Sequence, residues 1–231
     1  MEKTITFLID FVDTYYHQRK IINFLKNFEI RSVFDVGAHK GEFIKTIKKL
    51  KNIEKIYSFE PQKKIYQKLN IFSIENKIFC FNFALGKNNE IRNLKINKKT
   101  STSTFSDINN LSLWYKIKSF ILKFSTKSSF IDEEKVNVIK LDDFCDDYKI
   151  SNIDLLKIDT EGHEKQVLEG ALNLIKEKKI KYILLEFHLS NMYSNYSVND
   201  LENFLDNYNF KLLKKYKFPF IPIEDRIYSL V

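Results

Sequence analysis

Carboxylate and imidazole side chains crowd two short stretches of this sequence. Leu155-Leu156-Lys157-Ile158-Asp159-Thr160-Glu161-Gly162-His163-Glu164 carries Asp159, Glu161 and Glu164 close together, and Leu184-Leu185-Glu186-Phe187-His188 sets an acid and a histidine two apart. Each follows an apolar run of strand length, so each set stands at a strand's end. Glu186 and His188 share one face of their strand. An imidazole titrates near neutrality and can take a proton from a hydroxyl, which makes His188 the first candidate for general base. His163 is the second, because it begins a helix and could simply cap it. Asp159 and Glu186 would orient the base or the acceptor. Asp159, Glu186 and His188 are also oxygen and nitrogen donors suited to a divalent ion, Mg or Mn, that acidifies the hydroxyl. Glu161 and Glu164 have a second reading as first-turn acids favoured by the helix dipole.

Two more signals lie upstream. In Val33-Phe34-Asp35-Val36-Gly37-Ala38-His39-Lys40-Gly41 a strand ends at Val36, and Gly37 and Gly41 bracket a tight turn into a helix. Residues without a Cβ let a ligand approach the backbone there. Neither GxGxxG nor GxxxxGK[ST] occurs, and Asp35 would repel a pyrophosphate but suits the ammonium of S-adenosylmethionine. In Ile56-Tyr57-Ser58-Phe59-Glu60-Pro61 an acid closes the next strand, where it can accept both hydroxyls of a ribose.

These groups need a scaffold that brings strand ends together. Short apolar runs alternate with helical stretches: Val33 to Val36, a helix near Glu42 to Leu50, Ile56 to Phe59, a helix near Gln62 to Phe72, then Ile78 to Phe83. The alternation resumes with Ile153 to Ile158, a helix near Glu164 to Glu177, Tyr182 to Phe187 and a helix near Val198 to Tyr208. That pattern predicts parallel strands with crossover helices. Phe210 to Tyr216 and Ile227 to Leu230 are joined too closely for a crossover and should pair antiparallel. The expected fold is α/β: a doubly wound, Rossmann-like sheet of seven strands, mostly parallel, with a terminal antiparallel hairpin. Residues 1–31, with apolar positions at helical spacing from Phe7 to Phe28, form an N-terminal helical cap, and the domain fills 32–231. An insertion at about 97–135 mixes Trp114, Tyr115, Phe120, Ile121 and Phe124 with Lys116, Lys118, Lys123 and Lys127, as in a lid or substrate wall, or equally in an amphipathic helix with a solvated Lys face.

The composition narrows the classes. With 44% hydrophobic and 29% charged residues and only 5 Gly and 3 Pro, the chain of 231 residues is a folded domain, not a disordered or collagenous one. Cys80 and Cys145 have no paired spacing and read as buried filler. No apolar run approaches the roughly 18 residues of a membrane span, and the amino terminus lacks signal-peptide features, which points to the cytoplasm. The net charge of +8 rests almost wholly on Lys, with Arg only at 19, 31, 92 and 226. Dispersed Lys of this kind argues against a nucleic-acid stripe and leaves room for an anionic small acceptor.

The ordered set Phe-Asp-Val-Gly-Ala-x-x-Gly, Phe-Glu-Pro, Val-x-x-x-x-Leu-Asp-Asp-Phe from Val136, Leu-Lys-Ile-Asp-x-Glu-Gly-x-Glu and Leu-Glu-Phe-His resembles the FkbM-type methyltransferases from about Ser32 to His188. The resemblance implies S-adenosylmethionine-dependent O-methylation, often of sugars or secondary metabolites. It assigns Asp35, Gly37 and Gly41 to the cofactor, Glu60 to the ribose and the Asp159 to Glu164 turn to the active site. His39 stands where the family usually has Asn, and Asn82 and Ala84 lie after the third strand, where adenine would rest. The expected acceptor is a nucleotide-activated sugar or glycan precursor of surface polysaccharide synthesis. RNA methylation and O-methylation of a non-sugar metabolite are the alternatives. The sequence leaves homo-oligomerisation open.

Overall fold

The computed structural model describes residues 17–76, 78–97, 103–116, 130–219 and 221–231. The strands are β1 (Ser32–Val36), β2 (Lys55–Phe59), β3 (Phe79–Phe81), β4 (Ala84–Leu85), β5 (Glu90–Asn97), β6 (Phe130–Ile139), β7 (Ile153–Ile158), β8 (Ile180–His188), β9 (Phe210–Lys217) and β10 (Ile223–Leu230). The helices are α1 (Gln18–Leu25), α2 (Glu42–Ile47), α3 (Lys63–Asn76), α4 (Leu141–Asp147), α5 (Glu164–Glu169), α6 (Leu172–Lys176) and α7 (Val198–Asn207).

A seven-stranded sheet has the order β3-β2-β1-β7-β8-β10-β9. β3, β2, β1, β7 and β8 are parallel, and β10 runs antiparallel between β8 and β9. The α/β sheet and its antiparallel terminal pair are as the sequence implies. Successive residues of the central strands enter different cores: Phe34, Leu156 and Ile183 pack in one cluster, Val33, Leu155 and Leu184 in the other. The sheet is thus covered on both faces, which is why its middle strands are mainly apolar. Chain order reverses between β1 and β7, and the carboxyl ends of strands on either side of such a point form a crevice.

Several details differ from the sequence reading. The run Ile78 to Phe83 is shorter as a strand, only Phe79–Phe81 pairing as β3 in the main sheet, and just beyond it β4 joins a second sheet of order β4-β6-β5. β6 claims the end of the presumed insertion and pairs antiparallel with β5. The helix near Glu164 to Glu177 breaks into α5 and α6 at Gly170, where a Cβ would stand 2.0 Å from the Gly86 carbonyl oxygen. β10 starts four residues before the apolar run Ile227 to Leu230. Its start is masked in sequence by Glu224 and Arg226, a buried pair in which Arg226 Nε donates to Glu224 Oε2 over 2.6 Å and the guanidinium lies 4.0 Å from the Phe187 ring.

α1 buries Ile21, Ile22 and Leu25 and packs on α2. The pattern from Phe7 to Tyr15 lies outside the described residues, as do Lys118, Phe120, Ile121, Lys123, Phe124 and Lys127. β9 forms the open edge of the sheet, with Lys211, Lys214, Lys215 and Lys217 exposed along it. Cys145 is buried and Cys80 half-buried, and burial pushes both thiols up to about 12. Among the described residues, no helix is long and apolar enough to cross a membrane.

Candidate active site

One cleft runs across the carboxyl ends of β2, β1 and β7. Its walls include Gly37, His39, Glu60, Gln62, Ala84, Leu85, Phe105, Asp159, Thr160, Glu161 and His163. Gly37 has φ +82°, and a Cβ there would meet the Asp159 carbonyl oxygen at 1.9 Å, so only glycine lets β1 and β7 close up at this turn. The amides of the turn are already used: Gly37 and Ala38 donate to the Phe59 carbonyl, and His39 donates to Glu60 Oε2. With no free cradle of N–H groups, the turn does not suit a pyrophosphate, in line with the missing GxGxxG. His39 itself sits at φ +47°.

Glu60 is buried. Its carboxylate accepts from the amides of His39 and Gln62 at 2.9 and 2.8 Å, yet burial outweighs those bonds and pushes its pKa up to about 7. Asn82 is exposed and braces the same corner from outside, its Nδ2 donating to the carbonyls of Glu60 and Pro61. Asn82 therefore fixes the turn, while Ala84 and Leu85 supply the apolar wall. Across from them, Phe105 and His163 pack at a tilt of 53°, ring centroids 5.0 Å apart.

Asp35 does not line this cleft. It is wholly buried on β1, in register with Lys157 of β7, whose Nζ lies 3.1 Å from Asp35 Oδ1 and 3.1 Å from Asp159 Oδ2. Burial raises the Asp35 pKa while Lys157 holds it down, and the two carboxylates together raise that of Lys157 despite its own burial. Asp159 is more open, with 35% of its side chain exposed, and it faces the cleft.

The turn after β7 is shaped by Glu164. Its buried Oε1 accepts from the amides of Thr160 and Gly162 and from the Thr160 hydroxyl. This loop holds Glu161 at φ +54°, a conformation a non-glycine residue adopts only under constraint. Tyr193 Oη donates to Glu161 Oε2, and the Tyr193 ring occupies the space above Gly162. His163 makes no side-chain cap bond, so Glu164, not His163, organises the helix start. Burial, with Arg92 nearby, lowers the His163 pKa to about 3.

At the end of β8, His188 is 2% exposed and lies behind the cleft wall. Its Nε2 is 3.2 Å from Glu186 Oε2 and 4.0 Å from Glu161 Oε2, without a well-formed hydrogen bond to either. The rings of Tyr193 and Tyr196 meet the imidazole edge-on. Glu186 is raised well above the usual carboxylate range by burial and by Asp159, Glu161, Asp225 and Glu164. Asp159, Glu186 and His188 do not fit the metal reading. Asp159 is turned to Lys157, and among the described residues no three His, Cys, Asp or Glu converge as a ligand set.

The fold thus gathers Gly37, His39, Glu60, Ala84, Asp159 and His163 around one cleft, sets Glu186 and His188 just beyond it, and leaves Asp35, Gly41 and Asn82 as supports. The sequence reading passed over Lys157, although a lone cation in the apolar run Ile153 to Ile158, two residues before Asp159, is a signal of a paired buried charge. It also passed over Phe105 and Tyr193, which nothing local marks.

A family profile described as Methyltransferase FkbM domain matches residues 35–212. Among solved structures, the chain is similar to a methyltransferase FkbM from Methylobacillus flagellatus KT, with TM-score 0.56 and 16% identity over 87% of this chain, and it spans 44% of that chain. It is similar also to a SAM-dependent methyltransferase from Aquifex aeolicus, with TM-score 0.50 and 10% identity over 100% of this chain and 99% of the other. A structure of M. capricolum TrmK with S-adenosyl-homocysteine has TM-score 0.49 and 12% identity over 90% of this chain and 66% of that one. No curated protein matches the sequence. A Rossmann-like sheet with its cleft at the strand reversal, and a profile match spanning that sheet from Asp35 to Leu212, place this chain in the FkbM methyltransferase family.

Proposed function

We propose that this chain transfers a methyl group from S-adenosylmethionine to a hydroxyl of a small, sugar-like acceptor. The observation that carries the reading is the meeting of Gly37, Glu60 and Asp159 in one cleft on β1, β2 and β7. The cofactor offers two ribose hydroxyls, an apolar base and a cationic amino-acid end. Glu60 has the acceptor oxygens for the hydroxyls, Ala84, Leu85 and Phe105 form an apolar wall, and Asp159 gives a carboxylate beside a bare glycine. When bound, the cofactor supplies an electrophilic methyl on a sulfonium. Asp35 acts through Lys157, which fixes the direction of Asp159. His188 receives the acceptor's proton through the cleft-lining Glu161, while Glu186 orients the imidazole. His163, kept neutral by burial and a weaker base than an ordinary carboxylate, serves as cleft wall instead.

The surplus of Lys, including the exposed Lys116, favours an acceptor with phosphate on its far side, such as a nucleotide-activated sugar. Labelled S-adenosylmethionine incubated with nucleotide sugars, free sugars and bulk tRNA tests this, read as a mass gain of one methyl. Label on a sugar supports the reading, and label on tRNA alone replaces it. Replacing His188 by Ala should spare cofactor binding and slow transfer by a factor of about 10² to 10⁴.

A further inference from the structure

Arginine is rare in this chain, and its placement is informative. Of 38 basic residues only Arg19, Arg31, Arg92 and Arg226 are Arg, so a guanidinium here marks a place where a planar fork of donors has a use. Arg31 and Arg226 each turn that fork to carboxylates, Glu29 and Glu54 for the first, Glu224 and Glu202 for the second. Arg92 on β5 pairs with no carboxylate among the described residues, and its guanidinium lies 5.0 Å from the centre of the Phe105 ring. In the β5–β6 register Arg92 stands opposite Val136, and Leu94, two residues on, opposite Glu134. Leu94, Val136 and Val138 are buried, so this face turns inward and Arg92 is its half-buried cation. Glu134, on the same face, accepts from the Lys63 amide.

A second side chain points the same way. Leu94, Phe105 and His163 all line the cleft. His163 is 3% exposed, yet its Nε2 has no hydrogen-bond partner. Its ring packs on the same Phe105 that carries the Arg92 guanidinium. A neutral imidazole with its proton on Nε2 donates one hydrogen bond, and a guanidinium only donates, so together they suit a group rich in acceptor oxygens and negative charge. S-adenosylmethionine does not supply that group on this side. It has no phosphate, its base and ribose are neutral, and its one carboxylate belongs to the amino-acid end, at Gly37 and Asp159. Resting on the methyl-transfer reading, we propose that Arg92 and His163 recognise an oxyanion of the acceptor, a phosphate or a carboxylate, with Phe105 holding the guanidinium at the edge of the cleft. Lys95, the next cation along β5, is paired with Asp107 and does not take its place. A Lys at 92 would keep the charge but lose both the fork and the flat contact with the ring.

Binding of simple probes tests this before the acceptor is known. Pyrophosphate, glucuronate and glucose are each titrated calorimetrically at neutral pH, with and without S-adenosylhomocysteine. At least one of the anions should bind, and more tightly than glucose; the anion preferred tells a phosphorylated acceptor from a sugar acid. Arg92→Gln should weaken that anion about tenfold or more, the effect of losing one charge-assisted hydrogen bond, and Arg92→Lys should recover only part of the loss. In nuclear magnetic resonance spectra the ring signals of His163 should move as the anion is added to the parent chain and stay in place in Arg92→Gln. Affinity for S-adenosylhomocysteine should be the same in the parent chain and in both variants, each checked for an unchanged melting profile. The proposal is overturned if neither anion binds, if glucose binds as tightly, or if Arg92→Gln binds the anion as the parent does. An equal loss of S-adenosylhomocysteine in Arg92→Gln also overturns it, since Arg92 would then serve the cofactor. Failure of S-adenosylhomocysteine to bind the parent chain overturns the methyl-transfer reading instead, and the anion titrations judge Arg92 separately.

Discussion

Lys157 is the cation on which the centre of the sheet depends, and replacing it with Met isolates that dependence. Met fills a similar volume, so the change leaves packing nearly intact and strands the carboxylates. Asp159 is partly exposed and can recover water, whereas Asp35 is wholly buried and cannot. Removing one partner of a buried ion pair costs about 3–5 kcal/mol, and here nearly all of it falls on Asp35. The loss depends on pH in a defined sense. Burial already raises the Asp35 pKa, and losing Lys157 raises it further. Above the unfolded value of about 3.9 the folded variant then binds more protons than the unfolded chain, so its stability declines as pH rises toward the folded pKa. Urea unfolding of Lys157→Met should therefore show a smaller deficit at about pH 5 than at about pH 8. Adding Asp35→Asn should return most of the loss and flatten the pH dependence. A deficit under about 1 kcal/mol, well short of the buried-pair range, would refute the argument. So would one that Asp35→Asn leaves unchanged.

Two further outcomes follow from the cleft. Gly37→Ala forces a side chain into a left-handed residue at a cost of roughly 1–2 kcal/mol and drives a methyl into the Asp159 carbonyl. Scanning calorimetry should show a clear fall in melting temperature, at roughly 2–4 °C per kcal/mol for a domain of this size, and a variant as stable as the parent would mean the turn is built otherwise. Glu60 titrates at about 7 and accepts ribose hydroxyls best when ionised. Cofactor affinity measured by calorimetry should thus rise as pH increases through 7 and level off above it, and Glu60→Gln should abolish the slope; a flat profile in the parent chain would show that ionisation of Glu60 does not govern binding.

The alternation of apolar runs and helical stretches made the main sheet legible, because each central strand is covered on both faces and is therefore mainly apolar, with few charged residues such as Asp35 and Lys157 inside it. The same logic put Glu60 and Asp159 at strand ends facing one crevice. What stayed hidden depends on register and on distant pairing. Asp35 looks like a ligand group until β1 is aligned with β7 and Lys157 is found opposite it. β6 was missed because its partner β5 lies across residues 98–129, and β10 was read short because Glu224 and Arg226 satisfy each other inside it. His188 does end β8, but its burial against Tyr193 comes from the segment that follows β8, after the motif has ended.

The lysines of β9 give part of the net charge a duty unrelated to ligands. An outermost strand has unpaired backbone groups that another sheet could zip onto, and here four of its eight residues are exposed lysines that repel a like surface. Protection by repulsion belongs to the medium as much as to the molecule. As the Debye length shrinks from about 10 Å at 0.1 M salt to about 3 Å at 1 M, that edge loses its guard, and chains become free to associate side by side while each stays folded.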